Sequence, residues 1–395
     1  MIGSTPLLFT ELREHPHSHT TGILPSQSIE ELIAAGHVIA NPPVTPEQIQ
    51  PSSLDLRIGP TAYRIRASFL SSRNARVIDK LHENHLYKID LSRPAVLERG
   101  CAYMVPLMES LNLPADISGK ANPKSTTGRL DVFTRLITDY GSEFERVPAG
   151  YKGALYTEIV PRTFSIVVEQ GARLNQLRLR RGNPPPSDSE LERLHEQETL
   201  VYSENESPAD ALISNKSLWL SVDLSGDETS DVIGYKARHN TALIDLNRIN
   251  HYEPLDYWEP IHRTRSRSLV LDPDDFYILA SKERVRIPHA FAAEMVPYDP
   301  SVGEFRIHYA GFFDPGFGYS RDQAARGSRA ALEVRARDVS FMVEHRQPVC
   351  KLAFERMAAD PDVLYGQDLG SNYQGQLTML SKHFVEQGAQ GTTGH

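Results

Sequence analysis

A chain of 395 residues with a formal net charge of −9 has room for two or three domains with cores of ordinary size. Its acidic balance excludes a broad nucleic-acid footprint, which needs a basic face. With no apolar run long enough to span a bilayer and no charged-then-apolar N-terminal signal, the expectation is a cytoplasmic protein with no membrane partner.

The two cysteines, Cys101 and Cys350, lie far apart beside apolar residues, which suits buried thiols in a reducing compartment better than a bridge or a metal spacing. In chain order, residues 1–22 are polar and carry His15, His17 and His19 in "HPHSH". Without another ligand signal nearby, they read as a flexible tail rather than a metal site. "SIEELIAAG" comes next, with Ser28 three residues before Glu31 and Gly36 just past the apolar positions, the marks of a capped short helix. Short alternating runs broken by Gly and Pro dominate the rest: "SLDLRIG", "AYMVPLME", "FSIVV", "LNQLRLRR" and "FYILASKE". The reading is mainly β.

"GKANPKSTTGR" (119–129) looks like a broken phosphate loop. A Walker loop needs glycine directly before its Lys-Ser pair and a helix directly after it. Here Pro123 precedes Lys124, and the chain runs on as the strand-like "LDVFTRLITD", so that reading fails.

Residues 183–216 break the β pattern with "NPPPSDSELERLHEQE" and "SENESPAD", a boundary or surface excursion. Beyond it, the second half of the chain repeats the first. "AVLERGCAYMVPLMESLNLP" (95–114) aligns without a gap on "LVLDPDDFYILASKERVRIP" (269–288), matching Tyr103 with Tyr277 and Glu109 with Glu283. "TFSIVVEQGARLNQLRLRR" (163–181) likewise resembles "SFMVEHRQPVCKLAFERM" (340–357). Two matches in the same order indicate a tandem duplication of one β-fold: tail 1–22, first repeat 23–182, linker 183–216, second repeat 217–395.

"IQPSSLDLRIG", "LPADISGKANPKSTTGR" and "AGYKGALYTEI", in that order, resemble the landmarks of the dCTP deaminases in the dUTPase-like superfamily, in their long, internally duplicated form. "AGFFDPGFG", "AALEV" and "LYGQDLGSNYQGQ" in the second half are similar to that family's nucleoside hairpin and C-terminal tail. The resemblance implies a duplicated dUTPase-like β-clip, a distorted jelly-roll barrel with few short helices. It also implies dCTP as a small-molecule substrate, hydrolysed to dUTP and ammonia in pyrimidine deoxynucleotide synthesis. Because the family builds its sites between neighbouring copies, it implies a homo-oligomer too.

In that family a Ser-x-x-x-Arg element binds phosphate and helps form the reaction site. Ser125 and Arg129 occupy it here, with Lys124 in the preceding basic position. The residue chemistry agrees, since a triphosphate wants charge-assisted donors and short hydroxyls beside a permissive turn, and Lys124, Ser125, Thr126, Thr127, Gly128 and Arg129 supply them. A polar β-turn with an exposed salt bridge is the plainer alternative.

Deamination at C4 of cytosine needs a water, a base and an acid. The zinc route needs an H-x-E motif together with a P-C-x-x-C, and with Cys101 and Cys350 far apart this sequence has no P-C-x-x-C. A metal-free route puts a carboxylate in the shuttle role, with a hydroxyl and a guanidinium placing the water. Magnesium then enters only as a charge partner of the triphosphate.

The resembled family carries that carboxylate on a strand after a Gly-aromatic turn, and two residues fit: Glu158 in "GYKGALYTEI" and Glu333 in "GSRAALEV". Apolar neighbours would raise either pKa, and the choice between them stays open, as does an outward-facing, structural role for each.

The second repeat has "VPYDPSVG" where the phosphate element should be, with the acidic Asp299 at the Ser125 position. The first has "RVPAGYKG" where the hairpin has Asp-Pro-Gly, so Pro148 stands in for the sugar-binding aspartate that Asp314 keeps. An alternative alignment pairs Asp139 with Asp314. Complementary losses suit a composite site, with Lys124 to Arg129 from one repeat and Asp314 and Glu333 from the other.

In the tail, Tyr365, Tyr373, Gln374 and Gln376 match the segment that closes over the triphosphate, while the family's lysine falls near Asn372. These groups suit a lid or, equally, a strand-edge cover. Rival readings are a dUTPase or bifunctional deaminase/dUTPase, and a non-catalytic nucleotide-binding protein.

Overall fold

The computed structural model describes residues 20–182, 186–226, 230–296, 305–307 (backbone), 311–319, 326–336, 338–366 and 379–386. His15, His17, His19, Asp299, Asn372, Tyr373, Gln374 and Gln376 lie outside the described residues.

Strands dominate, as the alternating runs require. In the first repeat, Lys152–Pro161 lies between Tyr103–Asn112 and Val132–Thr138 in one antiparallel sheet. In a second sheet, Arg173–Arg181 lies between Leu54–Arg57 and Ile117–Pro123. The second repeat reuses the plan: Tyr277–Val285 pairs with Ser328–Ala336, and Pro348–Arg356 lies between Ser217–Ser221 and Phe291–Val296. A duplicated dUTPase-like β-fold with few short helices is therefore present.

The residues matched by the internal alignment do the same work in both halves. Tyr103 Oη accepts the Glu98 N–H at 3.0 Å, and Tyr277 Oη accepts the Asp272 N–H at 3.0 Å. Glu109 Oε2 accepts the Arg57 N–H and Glu283 Oε2 the Ser221 N–H, both at 2.8 Å.

Three expectations need correction. The first helix spans Ser26–Ala34, so Ser28 lies inside it and does not cap it. Pro25 takes the cap position with its fixed φ of −75°, and the Ser26 N–H reaches the Pro51 carbonyl at 3.1 Å instead. Gly36 does end the helix, at φ +74°.

The stretch read as a linker carries a helix, Asp188–Glu198, capped by the Ser187 hydroxyl. Leu191, Leu194, Leu200 and Val201 then enter the core of the second repeat, because the apolar positions between its charges recur at helical spacing. The thiols are free as expected, but only Cys350 is fully buried; Cys101 is half-buried. No described helix is long and apolar enough to cross a membrane.

Each repeat has its own apolar core, and a third cluster belongs to both. In it Leu130, Val132, Phe164 and Ile166 of the first repeat meet Tyr257, Trp258, Phe276 and Ile278 of the second, together with Leu380 and Phe384. Trp258 is fully buried, with Phe164, Phe276 and Phe384 at ring-centroid distances of 5.5, 6.0 and 5.9 Å.

Truncating this residue should loosen both halves together. Trp258→Ala is expected to cost about 3–5 kcal/mol, read from the denaturant midpoint. Trp258→Phe should cost clearly less, since it keeps an aromatic ring in the cluster and loses only an indole N–H that has no partner among the described residues.

Candidate active site

The strand Ile117–Pro123 runs beside Arg173–Arg181 in register until Pro123 faces Asn175, and there the ladder ends because proline has no N–H to give. The Lys124 N–H still reaches the Leu174 carbonyl at 2.9 Å. A single helical turn comes next over Ser125–Gly128, closed by Gly128 N–H to Lys124 O and Arg129 N–H to Ser125 O, both at 3.0 Å. Asp131, at φ 53°, turns the chain into Val132–Thr138.

Within this turn the hydroxyls divide. Thr127 Oγ1 donates to the Leu174 carbonyl at 3.0 Å and anchors the turn to the sheet. Ser381 Oγ donates to the Thr126 carbonyl at 3.2 Å, so the C-terminal segment packs on it. The Ser125 hydroxyl makes no hydrogen bond among the described residues and is half-exposed.

The turn meets the second repeat at Gly128. A β-carbon built there would stand 2.6 Å from Oε2 and 3.0 Å from Oε1 of Glu333, so only glycine admits the carboxyl this close. Glu333 is buried on Ser328–Ala336. Burial pushes its carboxyl up to about 8, opposed by the Arg129 cation and reinforced by the Asp131 anion. Arg129, itself buried, donates to the Leu380 carbonyl at 3.4 Å.

A second point of contact between the repeats adjoins the first. Asp314 Oδ1 accepts from the Ser52 hydroxyl and lies 3.4 Å from Arg178 Nη2. Arg178, fully buried, also bonds Ser52 Oγ at 2.9 Å and the Ala293 carbonyl at 3.0 Å. Lys124 Nζ pairs with the buried Asp55, whose carboxyl burial pushes up against the pull of Lys124. Asp314 is near enough to raise it further.

Beside the turn lies a cavity of about 320 Å³ whose lining includes Lys124, Thr126, Thr127, Arg173, Lys382 and His383. Burial and then the cations Lys124 and Arg173 hold the Lys382 ammonium below its usual range. Burial pushes the His383 imidazole down to about 4, so it is neutral near pH 7. Ser381 Oγ lies 2.9 Å from its Nδ1.

Glu158, the other glutamate, is buried on Lys152–Pro161 and pairs with Arg135 Nη2 at 2.6 Å. The Arg135 guanidinium carbon lies 3.6 Å from the Phe144 ring centroid and 4.8 Å from that of Phe133. The nearby charge is thus already matched. Asp139, the alternative counterpart of Asp314, accepts the Val77 N–H at 2.7 Å at the start of the helix Val77–Asn84. Tyr365 packs on the hairpin that carries Asp314, its N–H on the Pro315 carbonyl at 3.0 Å and its ring 5.7 Å from Phe317.

Sequence reasoning missed Ser52, Asp55, Arg173, Arg178 and Lys382. Ser52 and Asp55 sit inside "IQPSSLDLRIG", and alternation along "RLNQLRLRR" puts Arg178 on the opposite face from its neighbours Leu177 and Leu179. Lys382 had no signal, because only folding brings residue 382 to residue 124.

Family models described as the 2'-deoxycytidine 5'-triphosphate deaminase N-terminal and C-terminal domains match residues 20–183 and 187–384. A crystal structure of 2'-deoxycytidine 5'-triphosphate deaminase from Agrobacterium tumefaciens superposes with a TM-score of 0.83 at 51% identity, covering 89% of this chain and 100% of that one. A curated relative from Acidothermus cellulolyticus, "dCTP deaminase, dUMP-forming", is 25% identical over 164 residues, 41% of this chain and 82% of its own length. One of the same name from Halobacterium salinarum is 31% identical over 111 residues, 27% of this chain and 52% of its own. With both domain models matched in order along a duplicated β-fold, the chain belongs to the dCTP deaminase family.

Proposed function

We propose that this chain hydrolyses dCTP to dUTP and ammonia at one composite site, with Glu333 as the proton shuttle. The observation that carries this reading is the Glu333 carboxyl lying against Gly128, beside Arg129 and at the end of the turn that begins with Ser125. As water attacks C4 of the cytosine, the Glu333 carboxylate takes its proton and passes it to N3. The remaining hydroxyl proton then goes to the amino group, the C4–N bond breaks, ammonia leaves and C4 becomes a carbonyl. A carboxyl with its pKa near 8 can both accept and return a proton close to neutral pH.

Ser125 and Arg129 hold the water and balance the developing charge, while Asp314, held by Ser52 and Arg178, takes the sugar. The triphosphate lies in the cavity with Lys124, Arg173 and Lys382, and Mg²⁺ accompanies it as a counter-ion. No catalytic metal is part of this reading. Glu158, matched by Arg135, leaves the first repeat's glutamate structural.

Incubating the protein with dCTP and resolving the products by anion exchange with an ammonia assay tests this directly. Equal amounts of dUTP and ammonia support it. The relatives' names favour a second reading in which the site goes on to dUMP, which dUMP with pyrophosphate would identify. Binding without turnover would mean a nucleotide-binding protein.

Glu333→Gln is expected to lower kcat by a factor on the order of 10²–10⁴. Glu158→Gln should retain turnover and lose stability, because it strands Arg135. Lys382→Ala should raise KM for dCTP about tenfold with little change in kcat, the mark of a group that binds both ground and transition states.

Glu333 also makes stability depend on pH. Its folded pKa lies above the unfolded value of 4.5, so the folded state keeps a proton that the unfolded chain has released. Stability from this group therefore falls as pH rises from about 4.5 to about 8. Glu333→Gln should match the parent near pH 5 and exceed it above pH 8, measured by denaturant titration at each pH.

A further inference from the structure

Two residues beyond Arg129 stands Asp131, and two residues beyond Glu333 stands Arg335. Strand alternation puts Glu333 and Arg335 on one face of Ser328–Ala336. Across the repeat boundary Arg335 meets Asp131, with Nε 3.1 Å from Oδ2 and 3.3 Å from Oδ1, and Nη2 also donating to Oδ2. Thr163 closes the ring, donating to Asp131 Oδ2 at 2.6 Å and accepting from Arg335 Nη2 at 2.8 Å. Nη1 donates to the Asp274 carbonyl at 2.5 Å. The pair is almost wholly dry, with side-chain exposures of 5% and 0%.

We propose that Asp131 and Arg335 form a positioning clasp for the reaction, fixing the catalytic turn of one repeat against the glutamate strand of the other and keeping the Arg335 cation off Glu333. The inference rests on Glu333 being the shuttle. Its basis is the covalent spacing, because each partner is two residues from the group it positions and cannot shift without moving that group. A displacement on the order of 1 Å is enough to cost catalysis heavily.

Among the described residues, the charged groups near Glu333 are Arg129 and Asp131 from the turn and Arg335 two residues along its own strand. Asp275, at the start of the neighbouring strand, is matched by Lys236 and His239. With Asp131 in place, its anion helps hold the Glu333 carboxyl up and occupies the guanidinium that would otherwise pull it down. A merely structural pair would leave the pH profile unchanged when altered. The clasp moves it, and in opposite directions from its two ends.

The test is the pH profile of kcat/KM for dCTP deamination in Asp131→Asn and Arg335→Gln, with Glu333→Gln as the control. Asp131→Asn should lower kcat about tenfold or more and move the acid limb to lower pH, since Arg335 is released toward Glu333. Arg335→Gln should also lower kcat but move the limb to higher pH, since a buried anion is left beside the carboxyl. Either single variant strands a buried charge and can fail to fold. The double variant Asp131→Asn with Arg335→Gln strands none and should show the limb lowered.

Limbs that stay in place, or that move together in the two single variants, would overturn the clasp, as would an unmoved limb in the double variant. If Glu333→Gln itself keeps full activity, the shuttle reading fails instead, and the two failures are separable.

Discussion

The packing of Trp258 against Phe164, Phe276 and Phe384 is the contact on which the rest of the structure depends. Residues of both repeats meet at Gly128 with Glu333 and at Ser52 with Asp314. The turn that carries Ser125 and Arg129 leads through Leu130 and Val132 into the shared apolar cluster, and Ile278 of the same cluster lies opposite Glu333 in the sheet ladder. Burying large aromatic surface from both halves in one cluster is non-directional, so it supplies cohesion without choosing an alignment. The alignment comes from polar contacts around it: Asp131 with Arg335, Arg178 with Asp314 and the Ala293 carbonyl, Lys120 and Asn122 with Glu294. The buried pairs among them, Asp131 with Arg335 and Arg178 with Asp314, are weak sources of net stability but costly to mispair, which is the property an aligning contact needs.

Two glutamates at corresponding places in the repeats have opposite surroundings. Glu158 faces a guanidinium that lies against two aromatic rings. Glu333 faces a glycine, an arginine engaged elsewhere and an aspartate, and burial is the larger influence. The same side chain on the same kind of strand thus meets a paired cation in one half and a desolvating, glycine-lined contact in the other. The rim strands have diverged in parallel: Glu109 and Glu283 each hold a strand amide, but the residue they bind is Arg57 in one repeat and Ser221 in the other. The first repeat keeps Asp55 to meet Lys124, and the second has Trp219 at the matching place on its strand.

The architecture was legible because period-two alternation and turn residues are local, and a duplication doubles the signal. Paired Tyr103 and Tyr277, and paired Glu109 and Glu283, could be matched from the chain alone, and they make the same bonds in the fold. The short helix was legible too, but not its start, since a proline and a distant carbonyl displaced the expected serine cap. Asp188–Glu198 was hidden by its charges, because the few leucines that bury it are sparse among acidic residues that favour solvent.

By itself the sequence determined the β-class, the duplication, the family resemblance and the turn from Lys124 to Arg129. These rest on residue types at fixed spacing. It could offer Glu158 and Glu333 only as equals, and Asp139 as a rival to Asp314, because a side chain's chemistry depends on what is brought against it. The tertiary structure alone decided that Glu333 meets Gly128, that Arg135 matches Glu158, and that Asp139 holds a helix start. It also brought Lys382 to the cavity beside Lys124. Each of these is a contact between residues far apart in the chain, and a one-dimensional pattern carries no record of which distant charge will arrive.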